Sequence, residues 1–219
     1  SSACRLSLSG AAAVASSSSA TKSARAPLDR YDTPLWMVEA LLRHVPEVGG
    51  GTLLDPCCGG SSMAWRLAGR FDRVVLNDID PQVPTVSHYD LAATRYLWSG
   101  SDPDWVITNP PFSLSGRVIN RALHYSRRGV ALLLRISALE VCAGREILGI
   151  DPPHRLIVLP RFKFRDRGND LVTVGWFVWS RQERFTGPPI VLVSRPEAQR
   201  LQLLCSPEPA AFLLPRVAA

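Results

Sequence analysis

The tetrapeptide Asn109-Pro110-Pro111-Phe112 is the first place in this chain where residue types combine into possible chemistry. Two consecutive prolines remove two backbone donors and fix φ, so the turn is rigid. That rigidity holds an amide side chain, a bare carbonyl and an aromatic ring in set directions. The combination suits a planar molecule bearing an NH₂ group, which donates two hydrogen bonds to the oxygens while the ring stacks on its face. A Pro-Pro loop alone is usually just a loop. This one follows the apolar stretch Trp105-Val106-Ile107-Thr108 directly and lies downstream of a second unusual turn, Leu54-Asp55-Pro56-Cys57-Cys58-Gly59-Gly60-Ser61. Glycines there let the backbone approach a ligand closely, and Asp55 adds a carboxylate that attracts cations and repels phosphate. The turn has neither the Gly-x-Gly-x-x-Gly spacing of dinucleotide sites nor the lysine of a phosphate-binding loop. A third acidic position, Asp78, follows about 20 residues after the glycine turn, the distance at which an acid receives ribose hydroxyls in nucleotide-binding folds. Its neighbour Asp80 reads as a cap for the next turn.

These three turns need strands to position them. Apolar residues at helical spacing (Trp36, Met37, Val38, Leu41, Leu42, Val45) follow the helix-start signal Thr33-Pro34. Strands are expected at Thr52–Leu54, Arg73–Leu76, Trp105–Thr108 and Val130–Leu134. A weaker strand ends near Asp90. Helices are expected through Met63–Ala68, Ala92–Trp98, 116–126 and near 138–148. The pattern then changes: Leu156–Leu159 and Val172–Trp179 read as two strands joined by a basic loop. Such alternation implies an α/β fold, a mainly parallel sheet with helices on both faces and an antiparallel edge hairpin. Ligands of such sheets sit at the carboxyl ends of the strands, where all three turns fall.

Composition fits this picture. Hydrophobic residues make up 46% of the 219, which allows a sizeable core. The net charge of +6 is carried by arginine, the only lysines being Lys22 and Lys163. That excess permits a phosphate-bearing partner and equally fits a solvated surface. Five scattered cysteines make a poor disulfide framework, pointing to a reducing compartment, and the four histidines show no metal-ligand spacing, so no metal is expected. No apolar run approaches the roughly 20 residues that span a bilayer, so no membrane is expected as a partner. Residues 1–27 are Ser/Ala-rich without acids or aromatics and read as a disordered tail; their arginines and serines also fit a leader that would direct the chain to an organelle. Residues 206–219 read as a second tail.

Taken together, the glycine turn, Asn77-Asp78-Ile79-Asp80-Pro81 and Asn109-Pro110-Pro111-Phe112 resemble the class I S-adenosylmethionine-dependent methyltransferases that methylate amines. More narrowly, the chain is similar to small phage-type DNA adenine methyltransferases. Leu134-Arg135-Ile136-Ser137-Ala138-Leu139-Glu140, Arg145, Pro160-Arg161-Phe162 and Gly175–Trp179 extend the likeness over residues 28–185. The resemblance implies a Rossmann-like methyltransferase domain over 28–205 and a cytoplasmic, bacterial or phage-encoded protein. It implies S-adenosyl-L-methionine as cofactor, with Tyr31, Thr33 and Pro34 beside its methionine end. Asp55, Pro56, Cys57 and Gly59 would line it, Asp78 and Ile79 would hold its ribose side, and Asp90 its adenine. Asp90 is equally a helix N-cap. Asn109 would touch both cofactor and substrate, Pro110 and Pro111 would present the bare carbonyl, and Phe112 would stack on a base turned out of its duplex. Ser61 stands where the family usually has glycine.

The resemblance favours DNA over RNA as the nucleic-acid partner, and adenine N6 as the target. The same tetrapeptide also occurs in RNA adenine and guanine methyltransferases, and a Tyr-ending relative in protein glutamine methyltransferases. A non-catalytic scaffold of the same fold is the alternative from another class. In the basic stretch Arg161-Phe162-Lys163-Phe164-Arg165-Asp166-Arg167, alternation puts the cations Arg161, Lys163, Arg165 and Arg167 on one strand face, either gripping phosphates or facing water. Trp176 and Trp179 read as packing residues rather than base-stacking ones.

Overall fold

A computed structural model of the chain describes residues 32–80, 87–88, 102–139, 148–162, 171–181 and 185–205. The two tails, the weak element ending near Asp90, the expected helix Ala92–Trp98 and most of the one near 138–148 lie outside these residues.

Among the described residues seven strands form one sheet: β1 (Thr52–Asp55), β2 (Arg73–Leu76), β3 (Trp105–Thr108), β4 (Gly129–Arg135), β5 (Arg155–Val158), β6 (Val174–Ser180) and β7 (Ile190–Leu192). Their order is β2-β1-β3-β4-β6-β5-β7. The first four pair in parallel, β6 runs antiparallel to both β4 and β5, and β7 returns parallel to β5. This is the expected mainly parallel sheet with its antiparallel hairpin. β7 adds one further strand outside it, which the sequence reading did not resolve. β7 is an apolar run, Ile190-Val191-Leu192, but at three residues it is too short for period or length to mark it as a strand.

Alternate residues of each strand point to opposite faces, and the buried side chains sort accordingly. On one face Leu53, Val74, Ile107, Leu133 and Trp176 pack under the helices α1 (Leu35–His44) and α2 (Ser62–Leu67). On the other, Leu54, Val75, Val106, Leu132 and Phe177 meet Val118, Ile119 and Ala122 of α3 (Ser115–Tyr125). Trp176 and Trp179 are both buried, the former donating its indole N–H to the Met37 carbonyl of α1 at 2.7 Å. Both are packing residues, as read from the sequence.

The C-terminal helix α4 (Arg195–Leu204) escaped the sequence reading although it carries a start signal. Ser194 accepts the Glu197 N–H at 3.3 Å, and Ser-x-x-Glu is a capping-box spacing. Only Leu201 on it is buried, so the apolar periodicity that marks the other helices is missing.

The sheet order places β1 between β2 and β3. The chain leaves β1 to one side and comes back to the other, and at such a switch point the strand ends open a crevice. The turns after β1, β2 and β3 all leave from this carboxyl edge.

Candidate active site

Asp55 closes β1 and its side chain is fully buried. One oxygen, Oδ1, accepts the Cys57 N–H at 3.2 Å, while Oδ2 has no hydrogen-bond partner among the described residues. Burial pushes its pKa up to about 7; the Cys57 N–H and the Thr108 hydroxyl pull it back only in part, and the Asp78 charge adds to the rise. Thr108 faces the carboxyl from the end of β3, near enough to lower its pKa but short of full hydrogen-bond geometry, so its own buried hydroxyl also lacks a partner among the described residues. Two unsatisfied polar atoms are thus buried side by side at the switch point. A native fold tolerates that arrangement where a ligand supplies the partner.

The glycine turn is tied down by the next strand end. Asn77 is buried and donates its backbone N–H to the Asp55 carbonyl at 2.9 Å and its Nδ2 to the Pro56 carbonyl at 3.1 Å. Its own carbonyl accepts the Cys58 N–H at 3.0 Å. Asp78 accepts the Gly59 N–H on Oδ2 at 2.8 Å and the Asp80 N–H on Oδ1 at 3.0 Å. Asp80 thus donates its N–H to a turn that Asp78 organises, and the turn that follows it lies outside the described residues. Ile79 stands exposed beside it. Gly59 and Ser61 both have left-handed backbone, with φ of 52° and 66°. Ser61 thus adopts the conformation that glycine usually supplies. Burial, with the Asp55 charge next, pushes the Cys57 thiol up and the Cys58 thiol to about 12, so both stay protonated and unreactive.

The segment before α1 joins the two turns. A Cβ on Gly60 would lie 3.2 Å from the Asp32 carboxylate, so the chain at Asp32 runs against the glycine turn. One residue on, the buried Thr33 accepts a hydrogen bond on its hydroxyl oxygen from Asn109 Nδ2 at 3.1 Å, across 76 residues of sequence. Pro34 then starts α1, its carbonyl accepting the Met37 N–H. After Pro110 and Pro111, Phe112 opens a short 3-10 turn; its ring packs partly on the α1 side of the core, and the Arg135 guanidinium lies over it at 4.3 Å from the centroid.

Similarity to known proteins bears on the fold. No protein-family profile matches the sequence, and no curated protein is significantly similar to it. Among solved structures, the chain superposes on a Listeria monocytogenes protein assigned to the class I S-adenosylmethionine-dependent methyltransferases, with a TM-score of 0.55 and 15% identity, over 81% of this chain and 71% of that one. It also superposes on a Pyrococcus horikoshii protein assigned as an RNA methyltransferase, with a TM-score of 0.54 and 17% identity, over 70% of this chain and 88% of that one. The chain has the class I methyltransferase fold.

Within that fold, Thr33, Asp55, Pro56, Cys57, Gly59, Asp78, Ile79 and the Asn109–Phe112 turn lie at three neighbouring strand ends and the segment that bridges them. Tyr31, Asp90, Lys163, Arg165 and Arg167 fall outside the described residues. Arg161 is exposed, while Phe162 next to it packs edge-on against Trp36 with centroids 5.8 Å apart, the two-faced pattern the alternation predicts. Sequence reasoning passed over Thr108, Asn77 and Arg135 as site residues. The signal for all three was position, since each ends or directly follows a strand at the same edge. Among the described residues no three His, Cys, Asp or Glu side chains converge as metal ligands, and no helix is long and apolar enough to cross a membrane.

Proposed function

We propose that this protein is an S-adenosylmethionine-dependent methyltransferase acting on an exocyclic amine, adenine N6 in DNA. The observation that carries the reading is the Asn109–Thr33 hydrogen bond. With Nδ2 committed as donor to the hydroxyl, Oδ1 is the end of the amide that accepts. The adjoining Pro110 carbonyl is an acceptor held rigid by the Pro-Pro pair. Two fixed acceptors on a strand end are what a planar NH₂ donor requires, and they disfavour a hydroxyl or thiolate nucleophile.

The cofactor suits the residues present. The partnerless Asp55 oxygen and the Thr108 hydroxyl offer polar partners to the cationic end of such a molecule, and the Asp78 carboxylate keeps lone pairs for ribose hydroxyls. Thr33, Pro34, Pro56, Cys57 and Ile79 would flank it. When bound, this cofactor supplies an electrophilic methyl group on a sulfonium centre. Asn109 Oδ1 and the Pro110 carbonyl would accept the two N–H bonds of the amine, keep its lone pair localised and aim it along the methyl–sulfur axis. Held this way, the amine would take the methyl group through its lone pair, and one of its N–H protons would then leave to solvent. Neither the transfer nor the proton loss needs a strong base. The Phe112 ring would stack on the base, offsetting an unstacking cost of a few kcal/mol.

The test uses methyl-labelled cofactor with separate DNA, RNA and protein pools. Label recovered as N6-methyladenine in DNA is the expected result. Label in RNA, the substrate class of the Pyrococcus horikoshii protein, or on glutamine keeps the chemistry and replaces the substrate. Retained cofactor binding with no label in any pool overturns the catalytic reading in favour of a scaffold.

A further inference from the structure

We infer that Arg135 is a substrate-binding residue that occupies the base-stacking slot of Phe112 until a nucleotide enters, and then takes the phosphate of that nucleotide. The inference rests on the proposed reading of Phe112 as the base-stacking ring and adds a residue to that site.

Four observations carry it. Arg135 ends β4, beside β3, so its side chain leaves from the same carboxyl edge as Asn109. Its guanidinium carbon lies 4.3 Å over the Phe112 centroid, about the spacing of a stacked planar ring. The Phe112 ring also packs against the core cluster under α1, so a base and the guanidinium compete for limited ring surface. Lastly, the Arg135 Nε is buried and has no hydrogen-bond partner among the described residues, a costly state for a charged donor group. A planar cation that covers a ring while leaving a donor unsatisfied is well placed to exchange that position for one with an anion. Guanidinium forks bind phosphate in a bidentate manner, and a base brings its own phosphate to within a sugar's length of the ring. A salt bridge to a protein carboxylate would have fixed Arg135 in place; no such ion pair to it is found among the described residues.

The experiment compares binding of deoxyadenosine, deoxyadenosine 5′-monophosphate and a single-stranded adenine-containing oligodeoxynucleotide to the cofactor-loaded protein and its variants, with cofactor affinity as the check on folding. The unmodified protein should prefer the monophosphate and the oligonucleotide over the nucleoside. In Arg135→Ala that preference should fall by about tenfold or more, as loss of a charge-assisted contact predicts. Arg135→Lys should keep part of it, and Arg135→Gln none. The salt slope of oligonucleotide binding should drop by about one. Loss for the oligonucleotide alone would place the contact on a neighbouring phosphate of the strand rather than on the target nucleotide, overturning the assignment. Equal weakening of nucleoside and nucleotide would show that Arg135 only props the ring, and it too overturns the inference. Nucleotide binding with the expected Arg135 dependence but no methyl transfer would sink the catalytic reading and leave this inference standing; no binding of any of the three ligands would sink both.

Discussion

Asp55 is the residue whose environment makes the sharpest demand. Its carboxyl is buried, half-satisfied and raised from 3.8 to about 7. Between those values the unfolded chain ionises while the folded one holds its proton, so fold stability falls as pH rises from about 4 to about 7 and then levels. At about 1.4 kcal/mol per pKa unit the cost at pH 8 is on the order of 4 kcal/mol. A cationic ligand prefers the ionised form, so cofactor affinity should move the opposite way, rising between about pH 6 and about pH 8. Asp55→Asn should therefore raise the melting temperature at pH 8 while weakening cofactor binding and flattening its pH profile. Calorimetric titrations across that range check this, and a flat profile in the unmodified protein removes Asp55 from the site. Asn109→Ala should cut turnover by on the order of 10²-fold with cofactor affinity nearly intact, because a preorganised transition-state acceptor is lost. Thr33→Val, which only releases the amide, should give a smaller loss in turnover. Placing the target base in a mismatch should partly rescue Phe112→Ala, whose defect is stacking worth about 1–3 kcal/mol, and should not rescue Asn109→Ala. Steady-state kinetics on matched and mismatched duplexes separate the two.

At the scale of elements, the glycine turn is held less by its own sequence than by the strand end beside it. Asn77 and Asp78 supply the hydrogen bonds that fix Pro56, Cys58 and Gly59. Asp78→Ala should consequently do two things at once. It removes an acceptor for ribose, worth about 1.5–3 kcal/mol of cofactor affinity, and it frees the Gly59 N–H, so the turn should exchange its amides faster. Unchanged affinity by calorimetry would exclude Asp78 from the site. Ser61 offers the converse change. Its left-handed backbone, φ 66°, costs a non-glycine residue about 1 kcal/mol, against which it gains only a weak Oγ–H bond to the Cys58 sulfur at 3.5 Å. Ser61→Gly should stabilise the protein by roughly 0.5–1 kcal/mol, measurable by urea denaturation, and leave cofactor binding intact.

Across the whole molecule, the site depends on α1 being seated correctly, since Thr33 and Pro34 lead into it. α1 is seated by Trp176, whose indole N–H reaches the Met37 carbonyl from the middle of the sheet. Trp176→Phe retains an aromatic ring but gives up that bond and some volume, and should cost about 1–3 kcal/mol of stability by denaturant titration. If α1 shifts as a result, the Thr33–Asn109 contact loosens and turnover should fall further than cofactor affinity does. A variant with unchanged stability would show that α1 is held by apolar packing alone.

Strand and helix periodicity, turn chemistry and the Asn-Pro-Pro-Phe stretch were legible in the sequence because each is local: apolar runs mark buried strands, Pro-Pro fixes its own geometry, and the acids following strands announce the carboxyl edge. β7 and α4 were not legible, because β7 is only three residues long and α4 buries only Leu201. The bond between Thr33 and Asn109, the placing of Thr108 beside Asp55 and the stacking of Arg135 on Phe112 could not be read at all. Those contacts arise from the order of the strands in the sheet, which brings residues far apart in sequence to one edge, and from burial, which decides which polar atoms go unsatisfied. Residue types and local spacing determined what chemistry was available; only tertiary packing decided which groups meet, which oxygen of Asp55 lacks a partner, and which end of the Asn109 amide accepts.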